Sequence, residues 1–396
     1  MRIAQVTSSL AEPLGGAEQY CVELSLWLAT HGHEVTLYGH GADDQLLARC
    51  ASADVKVMEL AVPRPYAPGA RSSSALAKLR FHGLDLIESF FPRRAVRAVA
   101  DGPFDVIHVH RWSGLGAALL RRGRSATAHT VHDYALVDTT ATSVREGQPV
   151  DRLPLPQRLR ARALRAVTAE LDLAVFPTAR TRDRHLALGA EFDAGRTAVL
   201  GHGWRLPPAT AGTAARRPGS FSVLYMGKLT EAKGVDRLLT AWKQGVPGAR
   251  LSLAGAGELE TAARSAAADR DDVDYLGWLS KEDQASVMTS TDLLVLPSRW
   301  PENFPLVMAE ALVAGVPVLA TRLNAPDLLR DGVNALVVED SEQGIRDGLR
   351  RLAASPELQA RLRAGARTSA EELDFDRHGE KVAALLSQIA TRYSDR

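Results

Sequence analysis

Cysteine is nearly absent from this 396-residue chain, with only Cys21 and Cys50 present. Two thiols at that spacing make neither a disulfide framework nor a zinc site, and they fit a reducing cytoplasm. An excess of charge is missing too. Lys and Arg number 48 against 47 Asp and Glu, a formal net charge of +1. No global field therefore attracts nucleic acid, and only local patches remain for charged partners. Long apolar runs are also lacking, and none approaches the roughly 18 residues of a spanning helix. The opening MRIAQVTSSL is too short and too polar for the apolar core of a signal peptide and reads as a first β-strand. No short-period repeat or long low-complexity tract occurs, although Pro63 to Ser74 (PRPYAPGARSSS) has the composition of a mobile loop.

What remains is ordinary for a large globular protein, with 45% apolar and 24% charged residues. The length exceeds the roughly 250 to 300 residues at which single cores stop growing, so two domains are expected. Short β-like runs alternate with longer helical ones, the pattern of parallel sheets covered by helices. One series of strands is expected at Ile3 to Thr7, Glu34 to Tyr38, Val55 to Leu60, Val106 to His110, Ala126 to Val131 and Leu173 to Pro177. A second runs through Ser222 to Met226, Arg250 to Ala254, Val273 to Leu276, Leu293 to Pro297, Val316 to Ala320 and Ala335 to Val338. Between them, residues 207–219 are rich in Pro, Gly and small residues, as in an exposed linker. The expected division is 1–206, linker 207–219 and 220–374. A closing helix over 375–396, spaced by Val382, Leu385, Leu386 and Ile389, is free to dock on either domain, packing back on the N-terminal one included.

The stretch PENFPLVMAEALVAGVPV, from Pro301 to Val318, holds two glutamates in apolar surroundings. Desolvating an unpaired carboxylate costs several kcal/mol, so both reach water or something binds them. Pro305 suits a helix's first turn and Gly315 its end, which places Glu302 in a loop and Glu310 within the helix, about 8 Å further along at 1.5 Å per residue. They do not form a facing catalytic pair. A strand's carboxyl end followed by a helix N-terminus is a common ligand site in parallel sheets, and both carboxylates suit sugar hydroxyls. The competing reading is a helix-end charge and an ordinary ion pair with arginine.

The segment from Ser298 to Val318 resembles the motif of glycosyltransferase family 4, retaining enzymes of the GT-B fold, in which two Rossmann-like doubly wound domains face each other across a cleft. The resemblance implies that Glu302 meets the donor sugar and Glu310 the nucleotide ribose, with Asn303, Phe304, Pro305 and Leu306 lining the same subsite. It also implies an N-terminal acceptor domain and a C-terminal donor domain, and it is weakest over 63–97 and 139–156.

Two lysines and two glycines fall directly after the first strand of the second series, in LYMGKLTEAKGVD from Leu224 to Asp236. Ammonium groups and backbone amides there suit a leaving diphosphate, whereas the plainer reading is a solvated loop. The loop is similar to the family's phosphate loop, with Lys228 where arginine is common and Lys233 beyond it; lysine keeps the charge and loses the bidentate fork. Gly15 and Gly16 follow the first strand and lack the third glycine of a dinucleotide fingerprint. They resemble the family's N-terminal Gly-Gly loop beside the phosphates. Gly277 and Trp278 end another strand and by resemblance lie near the base, with a core or rim tryptophan as the alternative.

His108 and His110 alternate along one strand, and His129, His132 and Asp133 cluster on another. A metal site is one reading of the pair, although no third ligand follows from the spacing. The resemblance instead implies that His132 stands by the reacting sugar, donating to a hydroxyl or to charge on the leaving side, with His108 and His129 as core histidines. Asp272-Val-Asp274 and Asp374-Phe-Asp376 spell the metal motif of the other main glycosyltransferase fold, in the wrong context. No metal and no cofactor are expected.

The chain is therefore identified as a member of that family: a cytoplasmic transferase moving a sugar from a nucleotide-diphosphate sugar to a hydroxyl acceptor, whether glycan, lipid-linked or small metabolite. No carboxylate pair of the retaining-glycosidase kind is placed by the sequence, which suits the family's front-face path. The rivals are a nucleotide-sugar epimerase of the same fold and a silent nucleotide-sugar sensor. Gln157 to Val167 reads as a solvated basic helix; with a lipid-linked acceptor, it and residues 71–97 are the candidate membrane contacts.

Overall fold

A computed structural model describes residues 1–67, 74–145, 148–206, 220–324 and 326–394. The chain divides into two compact units. The first comprises Met1–Ser143, Asp151–His202 and Asp376–Arg396, and the second Val144–Val150 and Gly203–Phe375.

The first unit is built on a parallel sheet of β1 (Arg2–Val6), β2 (Glu34–Gly39), β3 (Lys56–Glu59), β4 (Val106–Val109), β5 (Ala126–Thr130), β6 (Leu173–Phe176) and β7 (Thr197–Val199), in the order β3-β2-β1-β4-β5-β6-β7. β4, β5 and β6 are buried along their whole length, which is why they read as continuous runs rather than alternating ones. From β1 the chain winds outward to β3, then crosses back to place β4 on the other side of β1. Such a reversal opens the carboxyl ends of the two neighbouring strands to ligands.

The helix Phe375–Ser394 counts with this unit. Trp27 Nε1 donates to Asp376 Oδ1 at 2.7 Å, and Tyr20 Oη lies 2.8 Å from His378 Nε2. A Cβ on Gly379 would meet the Trp27 indole at 2.4 Å, so only glycine lets this helix approach so closely. Val382, Leu386 and Ile389 of the expected spacing are buried.

The second unit repeats the plan with β8 (Phe221–Met226), β9 (Ala249–Ala254), β10 (Val273–Gly277), β11 (Leu293–Leu296), β12 (Val318–Thr321) and β13 (Ala335–Val338), in the order β10-β9-β8-β11-β12-β13. Its reversal lies between β8 and β11. One face of the sheet packs Leu238, Trp242 and Leu349, the other Met288, Met308 and Leu312.

Each expected strand is present, with ends shifted by a residue or two. The strand expected from Val316 starts at Val318, since Pro317 has no N–H for the ladder. The short edge strand β7 was not expected, because Thr197–Val199 is half exposed and carries no apolar run. A small antiparallel pair, Val144–Arg145 with Gln148–Pro149, was not expected either. The units part between His202 and Gly203 rather than at residue 206, and residues 144–150 count with the second unit. The expected linker 207–219 lies outside the described residues, as do residues 68–73 of the expected loop at 63–74.

Candidate functional site

In the second unit the loops leaving β8 and β11 are fastened together. After β8 the chain runs through Gly227 and Lys228 to a short turn, Glu231–Lys233, and then Gly234 opens the helix Val235–Trp242. Gly234 has φ +73°, and a Cβ there would lie 2.0 Å from the carbonyl oxygen of Pro297. Only glycine allows the loop to touch the carboxyl end of β11. Arg299 N donates to the Ala232 carbonyl at 2.9 Å, and the Arg299 guanidinium pairs with Asp236.

This bracing sets Lys233 Nζ 2.5 Å from Glu302 Oε2 and 5.3 Å from the centre of the Trp300 ring. Glu302 is buried, and its Oε1 accepts from the Ser298 hydroxyl. The residue expected in a helix-entry loop is thus held from two sides, with its second oxygen on the very lysine expected to hold phosphate. Lys228 is exposed, and its carbonyl accepts from Tyr225 Oη at 2.8 Å.

The helix following Glu302 is Leu306–Val313, with Pro305 at the N-cap rather than within the first turn. Asn303 is buried, and neither of its side-chain polar atoms has a partner among the described residues. Phe304 and Leu306 are partly buried. Glu310 lies inside the helix as expected, and burial pushes its carboxyl up to about 7 while Lys281 pulls the other way. Glycine contacts also draw in the ends of β8, β9 and β10. A Cβ on Gly255 would lie 1.9 Å from the Gly227 carbonyl oxygen, and Gly255 N donates to the Gly277 carbonyl at 2.7 Å. Trp278, beyond Gly277, is 52% exposed, so it is no core tryptophan. Asp272 is held by Arg270 and Trp242, and Asp274 by Arg250, so both carboxylates of that Asp-x-Asp serve ion pairs. In the second Asp-x-Asp, Asp376 takes the Trp27 bond described above.

In the first unit, the reversal between β1 and β4 gathers a different set. Gly15 caps the helix Gly16–Thr30, and its Cβ would collide with the Glu18 carboxylate at 2.6 Å. Glu18 is buried and pairs with Arg111, just past β4, at 2.6 Å. The helix entrance expected to receive an anion therefore carries a carboxylate of the protein itself, balanced by Arg111.

Beside it stands His132, at the end of β5 and partly buried. Its Nε2 lies 3.2 Å from His110 Nδ1, and His110 Nε2 lies 2.6 Å from Gln5 Oε1. Tyr20 meets the His132 ring edge-on at 5.3 Å between centroids, and His202 lies 5.0 Å away. Burial pushes both His110 and His132 well below the ordinary histidine range. His108 Nε2 is 2.8 Å from Thr130 Oγ1, and His129 Nδ1 is 2.8 Å from the Val109 carbonyl, so these two are core histidines. No group of three His, Cys, Asp or Glu suited to a metal occurs among the described residues.

Sequence reasoning missed Gln5, Tyr20, Arg111, His202 and His378. Arg111 was within reach, since it adjoins the expected strand end at the reversal, whereas Gln5 is one polar residue inside a buried strand. Tyr20, His202 and His378 come from three distant parts of the chain and carry no local pattern.

Two family models match the chain. One, described as the glycosyl transferase 4-like domain, covers residues 15–203, and the other, glycosyl transferases group 1, covers residues 220–355. The D-inositol 3-phosphate glycosyltransferase of Mycolicibacterium smegmatis is 29% identical over 419 residues, covering 98% of this chain and 90% of the relative. Among solved structures, sucrose-phosphate synthase from Thermosynechococcus elongatus superposes with a TM-score of 0.76 at 18% identity, covering 99% of this chain and 100% of that one. HepE of Anabaena, solved with UDP and glucose, gives a TM-score of 0.71 at 18% identity over 98% and 100% of the two chains. With one unit matching each model and the fold shared with GT-B structures, the chain belongs to the glycosyltransferases of family 4 and is a glycosyltransferase enzyme.

Proposed function

We propose that the chain is a retaining transferase that takes a sugar from a nucleoside-diphosphate donor and gives it to a hydroxyl acceptor. The observation that carries this reading is the Lys233–Glu302 pair at the β8/β11 reversal. An ammonium with two further donors and a carboxylate with lone pairs to spare stand side by side, the first suited to a diphosphate and the second to sugar hydroxyls. Asn303 and Leu306 adjoin the sugar, Glu310 takes the ribose diol, and Gly277 with Trp278 takes the base.

Both oxygens of Glu302 are already held, by Ser298 and by Lys233, which suits an anchored hydrogen-bond acceptor better than a nucleophile. In the front-face path, the bond from the anomeric carbon to the leaving phosphate breaks while the acceptor oxygen bonds to the same face. The acceptor proton passes to a phosphate oxygen. Lys233 and Lys228 stabilise the charge left on the diphosphate, and the family resemblance gives His132 the role of serving the transferred sugar. Because the lysines supply that charge and Asp272 and Asp274 are engaged elsewhere, turnover proceeds without a divalent cation and survives a chelator.

The inositol phosphate relative makes a phosphorylated polyol the first acceptor to offer, and the UDP complex of HepE makes uridine the first base. The two buried free thiols support a cytoplasmic setting. No helix among the described residues is long and apolar enough to cross a membrane. A peripheral membrane contact is supported by the helix Ala75–Glu88. Leu76, Leu79, Ile87 and the following Phe91 are exposed beside exposed Lys78, Arg80, Arg94 and Arg97, while Asp85 and Glu88 turn inward to Arg64.

Incubation with nucleotide sugars and polyol acceptors, followed by NMR of the product's anomeric configuration, tests the transfer. Acceptor-dependent release of nucleotide with retention supports it. Sugar isomerisation without acceptor would establish the epimerase, and binding without turnover the sensor.

A further inference from the structure

His132 is the last of three side chains joined in a row, and the first of them decides how the row is protonated. Gln5, on β1 and fully buried, places its amide oxygen 2.6 Å from His110 Nε2. An amide oxygen only accepts, so His110 carries its proton on Nε2. A neutral imidazole has one N–H, which leaves His110 Nδ1 with a lone pair. The atom facing it, at 3.2 Å, is His132 Nε2, which must then be the donor. His132 is left with an unprotonated Nδ1.

Two neighbours of the row are engaged elsewhere. The Tyr20 hydroxyl, whose ring borders both His110 and His132, is engaged with His378 Nε2. His108, 4.2 Å from His110 between ring centroids, spends its Nε2 on Thr130. Gln5 Nε2 has no partner among the described residues, so the amide is oriented by His110 alone. Turning that amide over would reverse each bond in the row and put the proton on His132 Nδ1.

We propose that Gln5 and His110 are positioning residues that fix the ring tautomer of His132, so that His132 meets its substrate through an unprotonated Nδ1. This rests on the reading of His132 as the histidine that serves the transferred sugar. A nitrogen in that state accepts a hydrogen bond from a sugar hydroxyl and has no proton to give the leaving phosphate. The donor role expected for His132 from the sequence is thereby replaced by an acceptor role, and stabilisation of the leaving group falls to Lys228 and Lys233. A neighbouring residue that fixes which ring nitrogen bears the proton is a recognised way to set histidine chemistry.

The test is long-range proton–nitrogen NMR on the full chain labelled with nitrogen-15 at histidine, with resonances assigned by single substitutions. The expected result is protonation of Nε2 in both His110 and His132. Gln5→Met, close in volume, should leave His132 a mixture of tautomers and lower kcat about tenfold, the worth of one hydrogen bond, with the donor KM within about twofold. Gln5→Glu keeps an oxygen acceptor and should restore the single tautomer and most of the rate. A protonated Nδ1 on His132 in the unsubstituted protein overturns the proposal, as does a tautomer that Gln5→Met leaves unchanged. Normal turnover in His132→Ala, with the tautomer pattern as expected, would instead reject the placement of His132 at the sugar and leave the row of bonds standing.

Discussion

The ammonium of Lys233 and the carboxylate of Glu302 stand 2.5 Å apart, on the two loops that meet where the second sheet reverses direction. Each group limits the other. Lys233 occupies one oxygen of Glu302, and that contact in turn fixes the position of the ammonium. Lys233→Ala is expected to cut turnover about a hundredfold, comparable to loss of an oxyanion donor. In a double-mutant cycle with Glu302→Gln, the two losses should fall well short of adding. Steady-state rates with a fixed donor measure both. Full additivity would show that the two groups act separately, and near-normal turnover of Lys233→Ala would reject its phosphate role.

Glu310 predicts a pH dependence with two opposite signs. Its carboxyl is raised from an ordinary 4.5 to about 7 by burial, so the folded protein keeps a proton that the unfolded chain has lost. That contribution to stability is complete below about pH 4.5 and fades as the pH rises through about 7. A ribose diol, which donates, prefers the ionised form, so nucleotide affinity should rise over the same range, by at most about tenfold per pH unit. Glu310→Gln should flatten both curves, in thermal melts for stability and in calorimetric titrations for binding. An unaltered slope of nucleotide affinity in the variant would remove Glu310 from the ribose.

The close approach of Gly379 to Trp27 gives a stability prediction away from the chemistry. Gly379→Val forces the indole and the last helix apart and should destabilise the protein by about 1–3 kcal/mol, the usual cost of overpacking. Denaturant melts followed by tryptophan fluorescence measure it. A cost below about 0.5 kcal/mol would mean that the helix docks elsewhere in solution.

The helix Ala75–Glu88 is expected to bind vesicles containing anionic phosphatidylglycerol and to ignore neutral phosphatidylcholine, with binding weakened by salt. Leu76→Ser with Leu79→Ser should abolish co-sedimentation while leaving turnover on a soluble acceptor intact, since both side chains face water. Binding to neither vesicle, or self-association through this face, would rule out the membrane contact.

Most of the candidate donor side was legible because its residues lie close together in the chain. Glu302, Asn303 and Glu310 fall in one short motif, and Lys228 and Lys233 in another, each beside a strand whose apolar run marks it. The mutual pairing of Lys233 and Glu302 was not legible, since it depends on how two loops 69 residues apart fold onto one another. The first unit was harder still. His132 adjoins a strand and resembles a known position, but Gln5 reads as one polar residue in a buried strand. Tyr20, His202 and His378 meet only because the last helix returns to the first. Trp278 was left open between a stacking, a core and a rim tryptophan, because its exposure is set by neighbours far along the chain.

The return of residues 375–394 to the unit formed by the first two hundred has a topological consequence. The second unit is an insertion, entered and left through separate crossings of the backbone. A fragment ending near residue 206 would bare Trp27 and leave Tyr20 without His378, so an isolated N-terminal half must carry the final helix grafted to its end to reproduce the native protein.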